Sequence, residues 1–415
     1  MKEKKIVIVG GGFAGIRVAK KIKNKNVEIV LIDKKNHHLF QPLLYQVASA
    51  ALSPADIAFP LREIYKSKKN VSVLMGEVKK VDKEKKQIHL DDTVINYDFL
   101  VLATGARHCY FAHPEWENNA PGLKTLIDAL NIREHILISY EKAERASSPS
   151  EAQEAMTFVV IGAGPTGVEM AGAIAEIAKK TLKKNFRKIN PEETKIFLIE
   201  AAPRVLPPYP PSLSIKAQKD LEKMGVEVLI NTKVTQIDSK GVTTDKTFIP
   251  CKNIIWAAGN EASQLLKDLK TPLDKQGRVI VENDLSIPNH PEIFVIGDAS
   301  FFLGKDGKPL PAVATVAIQQ GAYLGKSLNK ILANKPTKPF KYLDKGSLAT
   351  IGKFKAVASI RGINFSGFFA WLIWAFVHIF YLMGFRNRFS VMIQWYFHYL
   401  TGARSARVIQ KDLEK

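Results

Sequence analysis

Cysteine is scarce: Cys109 and Cys251 are the only two in 415 residues. They lie far apart and neither belongs to a C-x-x-C pair, which argues against a disulfide framework and a dithiol redox centre. Both are read as small core residues of a protein from a reducing compartment. No leader segment is expected. Met1-Lys2-Glu3-Lys4-Lys5 runs straight into Ile6-Val7-Ile8-Val9, too short an apolar stretch for a signal core, so a cytoplasmic location is expected. Zinc-finger spacing, aromatic-rich RNA signatures and basic helices running into heptads are absent, and no nucleic-acid partner is expected. His37 and His38 are adjacent without further ligands at metal spacing, so no metal is expected; they are read as loop residues. Negative charge is short. Forty Asp+Glu face 60 Lys+Arg, giving +20 and a pI near 9.6, which points to an anionic surface such as a bilayer. The rest is ordinary: 46% hydrophobic and 24% charged residues suit two or three packed folding units, with low complexity confined to small Lys-rich patches.

Two segments carry the same pattern. Ile6–Val9 is a short β-branched run, followed by Gly10-Gly11-Gly12-Phe13-Ala14-Gly15, a helix over Ile16–Ile22 and a strand over Val27–Ile32 ending at Asp33-Lys34. Downstream, Thr157–Ile161 leads into Gly162-Ala163-Gly164-Pro165-Thr166-Gly167, a helix over Val168–Lys179 and a strand over Lys195–Ile199 ending at Glu200. Ala146-Ser147-Ser148-Pro149-Ser150, just before the second unit, reads as a surface loop at a domain boundary. In each motif the first glycine makes the tight turn, the second lets the backbone approach a pyrophosphate, and the third lets helix and strand pack closely. The helix N-terminus offers free N–H groups to the phosphates. Asp33 and Glu200 stand where a carboxylate accepts ribose hydroxyls and repels a 2′-phosphate, so NADH is expected over NADPH. Two such sites on one chain imply two dinucleotides, and FAD with NADH as substrate is the pair that supports hydride transfer.

Phe99–Ala106 is a strand ending in A-T-G, Ile254–Gly259 is its counterpart, and Ile293–Ala299 ends in G-D-A. This set resembles the flavoprotein superfamily with two dinucleotide domains, glutathione-reductase-like in fold. Within it, Asn36–Ala48, Ala51–Ala58, Gly164–Glu169 and Gly346–Gly352 look like type II NADH dehydrogenase, the single-subunit NADH:quinone oxidoreductase, nearly end to end. The resemblance implies that Asp298 bonds the flavin ribityl chain and that the FAD domain is discontinuous, with the NAD domain inserted. It sets Thr104, Gly105, Gly259 and Gly297 at the cofactors and Glu169 near nicotinamide and flavin. The family's A-Q-x-A-x-Q-Q motif reads Ala314-Thr315-Val316-Ala317-Ile318-Gln319-Gln320 here, so Thr315 departs from it. Gln319 and Gln320 are implied at the quinone head group. The alternative is that their amides are satisfied by backbone.

The tail differs in character. Gly362 to Phe385 contains no Asp, Glu, Lys or Arg and is rich in aromatics; Phe389–Leu400 is a second apolar segment. The first run is long enough to span a bilayer. Interrupting polar residues and flanking arginines favour two helices lying in the interface instead, with a soluble core or dimer contact as the alternative.

The expectation is therefore an α/β protein with two Rossmann-like dinucleotide-binding domains and a C-terminal membrane-associating helical region. The expected segments are an FAD-binding domain over 1–118 and 261–335, a linker over 119–155, an NAD(H)-binding domain over 156–260 and an anchoring, dimerising region over 336–415. The function expected is non-proton-pumping NADH:quinone oxidoreduction by a peripheral, monotopic homodimer on the cytoplasmic face of the membrane. A sulfide:quinone enzyme using Cys109 and a non-catalytic flavin module are the rivals.

Overall fold

The computed structural model describes residues 4–404 and 406–409. The N-terminal residues Met1–Glu3, from which the lack of a leader was read, lie outside them. The chain divides into two compact units. One comprises the chain up to Leu39, Phe59–Arg107 and Asn260–Asp344; the other comprises Phe40–Ala58, His108–Gly259 and the chain from Lys345 onward.

The first unit is built on a six-stranded sheet. Its order is Ser286–Ile287, His290–Val295, Phe99–Leu102, Lys4–Val9, Val27–Asp33 and Val71–Met75, all parallel except the first pair. The strands are continuous β-branched and Leu runs because both faces are covered: Ile6, Val7, Ile8, Ile29, Leu31 and Ile32 are all fully buried. In-register pairing of Ile8 with Leu31 and Val101, and of Val101 with Phe294, brings the carboxyl ends of four parallel strands side by side. A doubly wound sheet places ligands outside those ends.

The second unit repeats the scheme with four parallel strands in the order Val226–Leu229, Lys195–Ile199, Thr157–Ile161 and Asn253–Trp256. Ser148 does not lie in an open loop. Its hydroxyl accepts the Glu151 N–H at 3.2 Å and caps the Pro149–Ala155 helix, with Pro149 at the first position. The helix after the second glycine loop is α-helical over Pro165–Glu176 and then takes one π turn over Ile177–Thr181.

The same unit ends in a three-stranded antiparallel meander, Ser347–Gly352, Lys355–Ile360 and Ile363–Ser366, and two helices, Phe368–Tyr381 and Phe385–Thr401. The uncharged run is therefore broken. Gly367 (φ 72°) and Gly384 (φ 85°) hold left-handed backbone at its two helix starts. The 14-residue first helix is about 21 Å long, short of the ~30 Å hydrocarbon core. Among the described residues no helix is long and apolar enough to cross a membrane.

Candidate functional site

In the first unit Gly10 takes φ 110°, and a Cβ there would stand 2.2 Å from the carbonyl of Ala103. Gly15 packs so closely that its Cβ would stand 1.9 Å from the Gly10 carbonyl. Gly12, in contrast, has nothing within 4 Å of its added Cβ, so the loop leaves room at the start of the Phe13–Lys21 helix. Asp33 shapes the loop: its two carboxylate oxygens accept the N–H of Gly11 at 2.5 Å and of Lys35 at 2.7 Å. His38 sits beneath. It belongs to a short His37–Leu39 strand rather than a loop, is buried, and donates from Nδ1 to the Gly11 carbonyl at 3.2 Å. Burial drives its pKa down to about 4, so it is a neutral clamp at physiological pH. Lys34 is exposed and ion-paired with Glu77.

The neighbouring strand ends complete this cradle. The Ala103 N–H donates to Val9 O (2.8 Å) and the Ile296 N–H to Leu102 O (3.0 Å), so Gly10, Thr104 and Gly297 follow three adjacent strands. Thr104 Oγ1 is buried and bonded to no described group, and Gly105 (φ 67°) faces open space. Asp298 lies half-buried in the first turn after Val295. An open glycine, an unsatisfied hydroxyl and a carboxylate around one crevice fit a dinucleotide with a ribityl chain.

The second unit reproduces the device. Gly162 has φ 98°, Gly167 packs with its Cβ position 1.8 Å from Gly162 O, and Gly164 has nothing within 4 Å. Glu200 bridges the Ala163 N–H (2.7 Å) and the Ala202 N–H (2.9 Å). In both units the acidic residue thus holds the second loop residue and the residue two places after itself. Arg204 is spent on the Pro207 carbonyl at 2.8 Å. Gly259 (φ 74°) packs against the Cys109 carbonyl.

Gln320 is fully buried. Its Oε1 accepts the Gly297 N–H at 2.6 Å and its Nε2 donates to Ser300 Oγ at 3.3 Å. Gln319 makes a two-way amide pair with Leu343, at 2.9 and 3.0 Å. Thr315 Oγ1 meets Tyr342 OH at 3.1 Å. Both amides are thus satisfied mainly by backbone. Gln320 fixes the G-D-A turn.

Glu169 lies in the second unit, on the wall of a cavity. This small cavity of about 30 Å³ is lined by Glu169, Glu176, Tyr45, His398, Tyr399 and Arg404, among others. That volume suits a water molecule. Glu169 and Glu176 share a helix face two turns apart. Gly172 between them lets the helix touch the Ser347–Gly352 strand, its Cβ position 1.8 Å from Ile351 O. Burial raises the Glu169 carboxyl well above the ordinary range, against the opposing Thr350 N–H, which favours its protonated form. Burial would also raise Glu176. His398, Arg404 at 3.2 Å and the Lys353 N–H at 2.5 Å override that and hold it at about 2.

Residues 4–321 match the pyridine nucleotide-disulphide oxidoreductase family, and residues 345–404 match the NDH2 C-terminal domain. The type II NADH:quinone oxidoreductase NdhA of Mycobacterium tuberculosis is 44% identical, over 99% of this chain and 90% of that one. The chain belongs to the type II NADH:quinone oxidoreductases. Ndh of the same organism is 41% identical, over 98% and 90% of the two chains. The solved structure of NDH2 from Plasmodium falciparum in complex with NADH superposes with a TM-score of 0.90 at 23% identity, covering 98% of this chain and 100% of that one.

For a type II NADH:quinone oxidoreductase the C-terminal helices are informative. Phe368, Phe369, Leu372, Phe376 and Phe380 form one exposed stripe; Phe385, Phe389, Met392, Ile393, Tyr396, Phe397 and Leu400 form another. Buried opposite are Trp371, Trp374 and His378, and Asn387, Val391 and Trp395. The inner face of the last helix is latched by polar side chains. Asn387 Nδ2 donates to Ala55 O (3.0 Å) and Ala58 O (3.2 Å), Ser390 and Gln394 donate to Asp56, and Trp395 donates to Gln46. Sequence reasoning gave no role to Gln46, Asp56, Glu176 or His398, and read Arg404 as one of the cations flanking the apolar segments, whereas it is buried against Glu176. Only Glu176 carried a local signal, its seven-residue spacing from Glu169.

Proposed function

We propose that the protein is an FAD-dependent NADH:quinone oxidoreductase that does not pump protons. The observation that carries the proposal is the repeated latch, Asp33 on one glycine loop and Glu200 on the other, in a chain of this family. A bound flavin supplies the chemistry, accepting hydride from the nicotinamide and delivering two electrons to a quinone. Gly10, Gly12, Phe13, Ala14 and Gly15 admit the FAD pyrophosphate at a helix N-terminus, and Gly162, Gly164 and Gly167 admit that of NADH. Asp33 with Lys34 and Glu200 face the riboses, Asp298 the ribityl chain, and Thr104, Gly105, Gly259 and Gly297 the ring ends. The Thr104 hydroxyl would find its partner there.

Reduction of a quinone to a quinol by NADH consumes one further proton. Glu169, whose protonated form burial favours, can hold a proton at its carboxyl. Gln319 and Gln320 border the quinone side, Gln320 by fixing the Gly297 turn and Gln319 by exchanging its Leu343 bonds for a quinone carbonyl. Glu200 at the end of its strand repels a 2′-phosphate, which favours NADH over NADPH. The two aromatic stripes rest on the cytoplasmic face of the membrane as a monotopic anchor with anionic lipid beneath, and the protein pairs as a homodimer. The five-segment domain organisation is part of the same proposal.

An anaerobic absorbance titration of detergent-purified protein tests the reading. NADH bleaches the flavin band and a short-chain quinone restores it. No bleaching would remove the nicotinamide assignment; bleaching without recovery would remove the quinone.

A further inference from the structure

The Lys-rich patch after the second glycine-loop helix is left unused by this function. Residues 179–188 contain Lys179, Lys180, Lys183, Lys184, Arg187 and Lys188 and no acid. Ile177-Ala178-Lys179-Lys180-Thr181-Leu182-Lys183-Lys184 alternates apolar and basic pairs. Ile177, Ala178, Thr181 and Leu182 are buried, which turns the lysine pairs outward through the π turn.

Backbone hydrogen bonds tie this loop to Glu144 and leave several of its ammonium groups unused. The Glu144 carboxylate accepts the N–H groups of Arg187, Lys188 and Ile189 at 2.9 to 3.1 Å, and Arg187 itself donates to Lys184 O at 3.0 Å. Lys183 pairs with Glu192 at 3.1 Å. Lys180, Lys184 and Lys188 are exposed, and among the described residues none of their ammonium groups forms a salt bridge, although the Glu144 carboxylate that holds the Lys188 N–H also feels that lysine's charge. Exposed lysines without a salt-bridge partner, gathered in one short segment, favour an external polyanion.

The patch also joins the apolar face. Thr181 Oγ1 donates to Gly402 O at 3.2 Å, just past the last helix, and Arg407 Nη1 donates to Thr181 O at 3.4 Å. Exposed Tyr396, Phe397 and Leu400 lie within two turns of that contact along the chain. An apolar stripe that enters the acyl boundary, continuous with lysines at its end, matches the two layers of a bilayer: acyl chains and phosphate headgroups.

We infer that Lys180, Lys184 and Lys188 form a docking surface for the anionic headgroups of a bilayer, beside the aromatic stripe of the Phe385–Thr401 helix. The inference rests on the membrane-surface reading above and adds the residues that recognise the anionic headgroups.

The test is vesicle co-sedimentation of the full-length protein. One set of vesicles is phosphatidylcholine alone and the other contains one-third phosphatidylglycerol. The Lys180→Gln, Lys184→Gln, Lys188→Gln triple variant is compared with a control triple of equal charge loss, Lys85→Gln, Lys275→Gln, Lys305→Gln. The patch triple is expected to lose roughly five-fold of its anionic-vesicle partitioning per cation, about a hundred-fold in all. Binding to phosphatidylcholine, and NADH oxidation with a water-soluble quinone in detergent, stay unchanged. Equal losses in both triples would reduce the effect to net charge and overturn the inference. So would wild-type binding that is indifferent to phosphatidylglycerol, which leaves the aromatic-stripe reading standing. Failure to bind either vesicle removes both readings. Retention of a short DNA duplex through these lysines, without vesicle binding, would reassign the patch to nucleic acid.

Discussion

The indole Nε1–H of Trp395 donates to Oε1 of Gln46 at 2.7 Å across 349 residues of sequence, with both side chains buried. Tyr45 OH accepts the other end of that amide, from Gln46 Nε2 at 2.8 Å. Trp395→Phe keeps the ring packing and strands the Gln46 carbonyl. It should lower stability by about 1–3 kcal/mol in chemical denaturation. Adding Gln46→Leu should recover part of that, and a double-mutant cycle with no coupling would disprove the linkage.

Gly164→Ala and Gly167→Ala separate ligand room from packing. At Gly167 the new Cβ meets Gly162 O at 1.8 Å, so the variant should melt several degrees lower. At Gly164 it meets nothing within 4 Å, so Tm should hold while the KM for NADH rises at least ten-fold. Equal behaviour of the two would argue against a pyrophosphate at this loop.

The folded Glu176 carboxyl lies at about 2, below its ordinary 4.5. A depressed carboxylate stabilises the fold above the unfolded value and loses that contribution as pH falls. Stability should therefore decline from about pH 4.5 towards pH 2. Glu176→Gln should flatten this acid limb and also cost roughly 3–5 kcal/mol at neutral pH, since Arg404 is then buried without its counter-charge. Denaturation midpoints measured across that range check both statements.

Serine at both Cys109 and Cys251 should leave NADH:quinone turnover unchanged within two-fold or so. Cys251 is buried, and burial pushes its thiol up to about 12, which makes it unreactive at neutral pH. Cys109 is half-buried, not a core residue, and its Sγ accepts the Phe111 N–H at 3.3 Å. Loss of activity in the double variant would revive the sulfide-type alternative.

What could be read from the sequence was local. Gly10 to Asp33 and Gly162 to Glu200 are each carried by one βαβ stretch, so spacing alone specified loop, helix and carboxylate. Arg404 and Glu176 lie 228 residues apart, and no periodicity links them. The Ser148 cap was visible as S-P-S-E, but the Ser/Pro density read as a loop. The orientation of Gln320 escaped for another reason: an amide can face a ligand or a backbone turn equally well, and only the position of Gly297 decides.

Gly367 and Gly384 have a bearing on biogenesis. A nascent chain offering 24 uncharged, aromatic-rich residues in succession meets the length at which insertion machinery recognises a stop-transfer segment. The left-handed glycines cut that stretch into a short strand, a 14-residue helix and the start of another. In the folded protein, backbone handedness at two positions thus divides an apolar sequence long enough for a span into elements each too short for one.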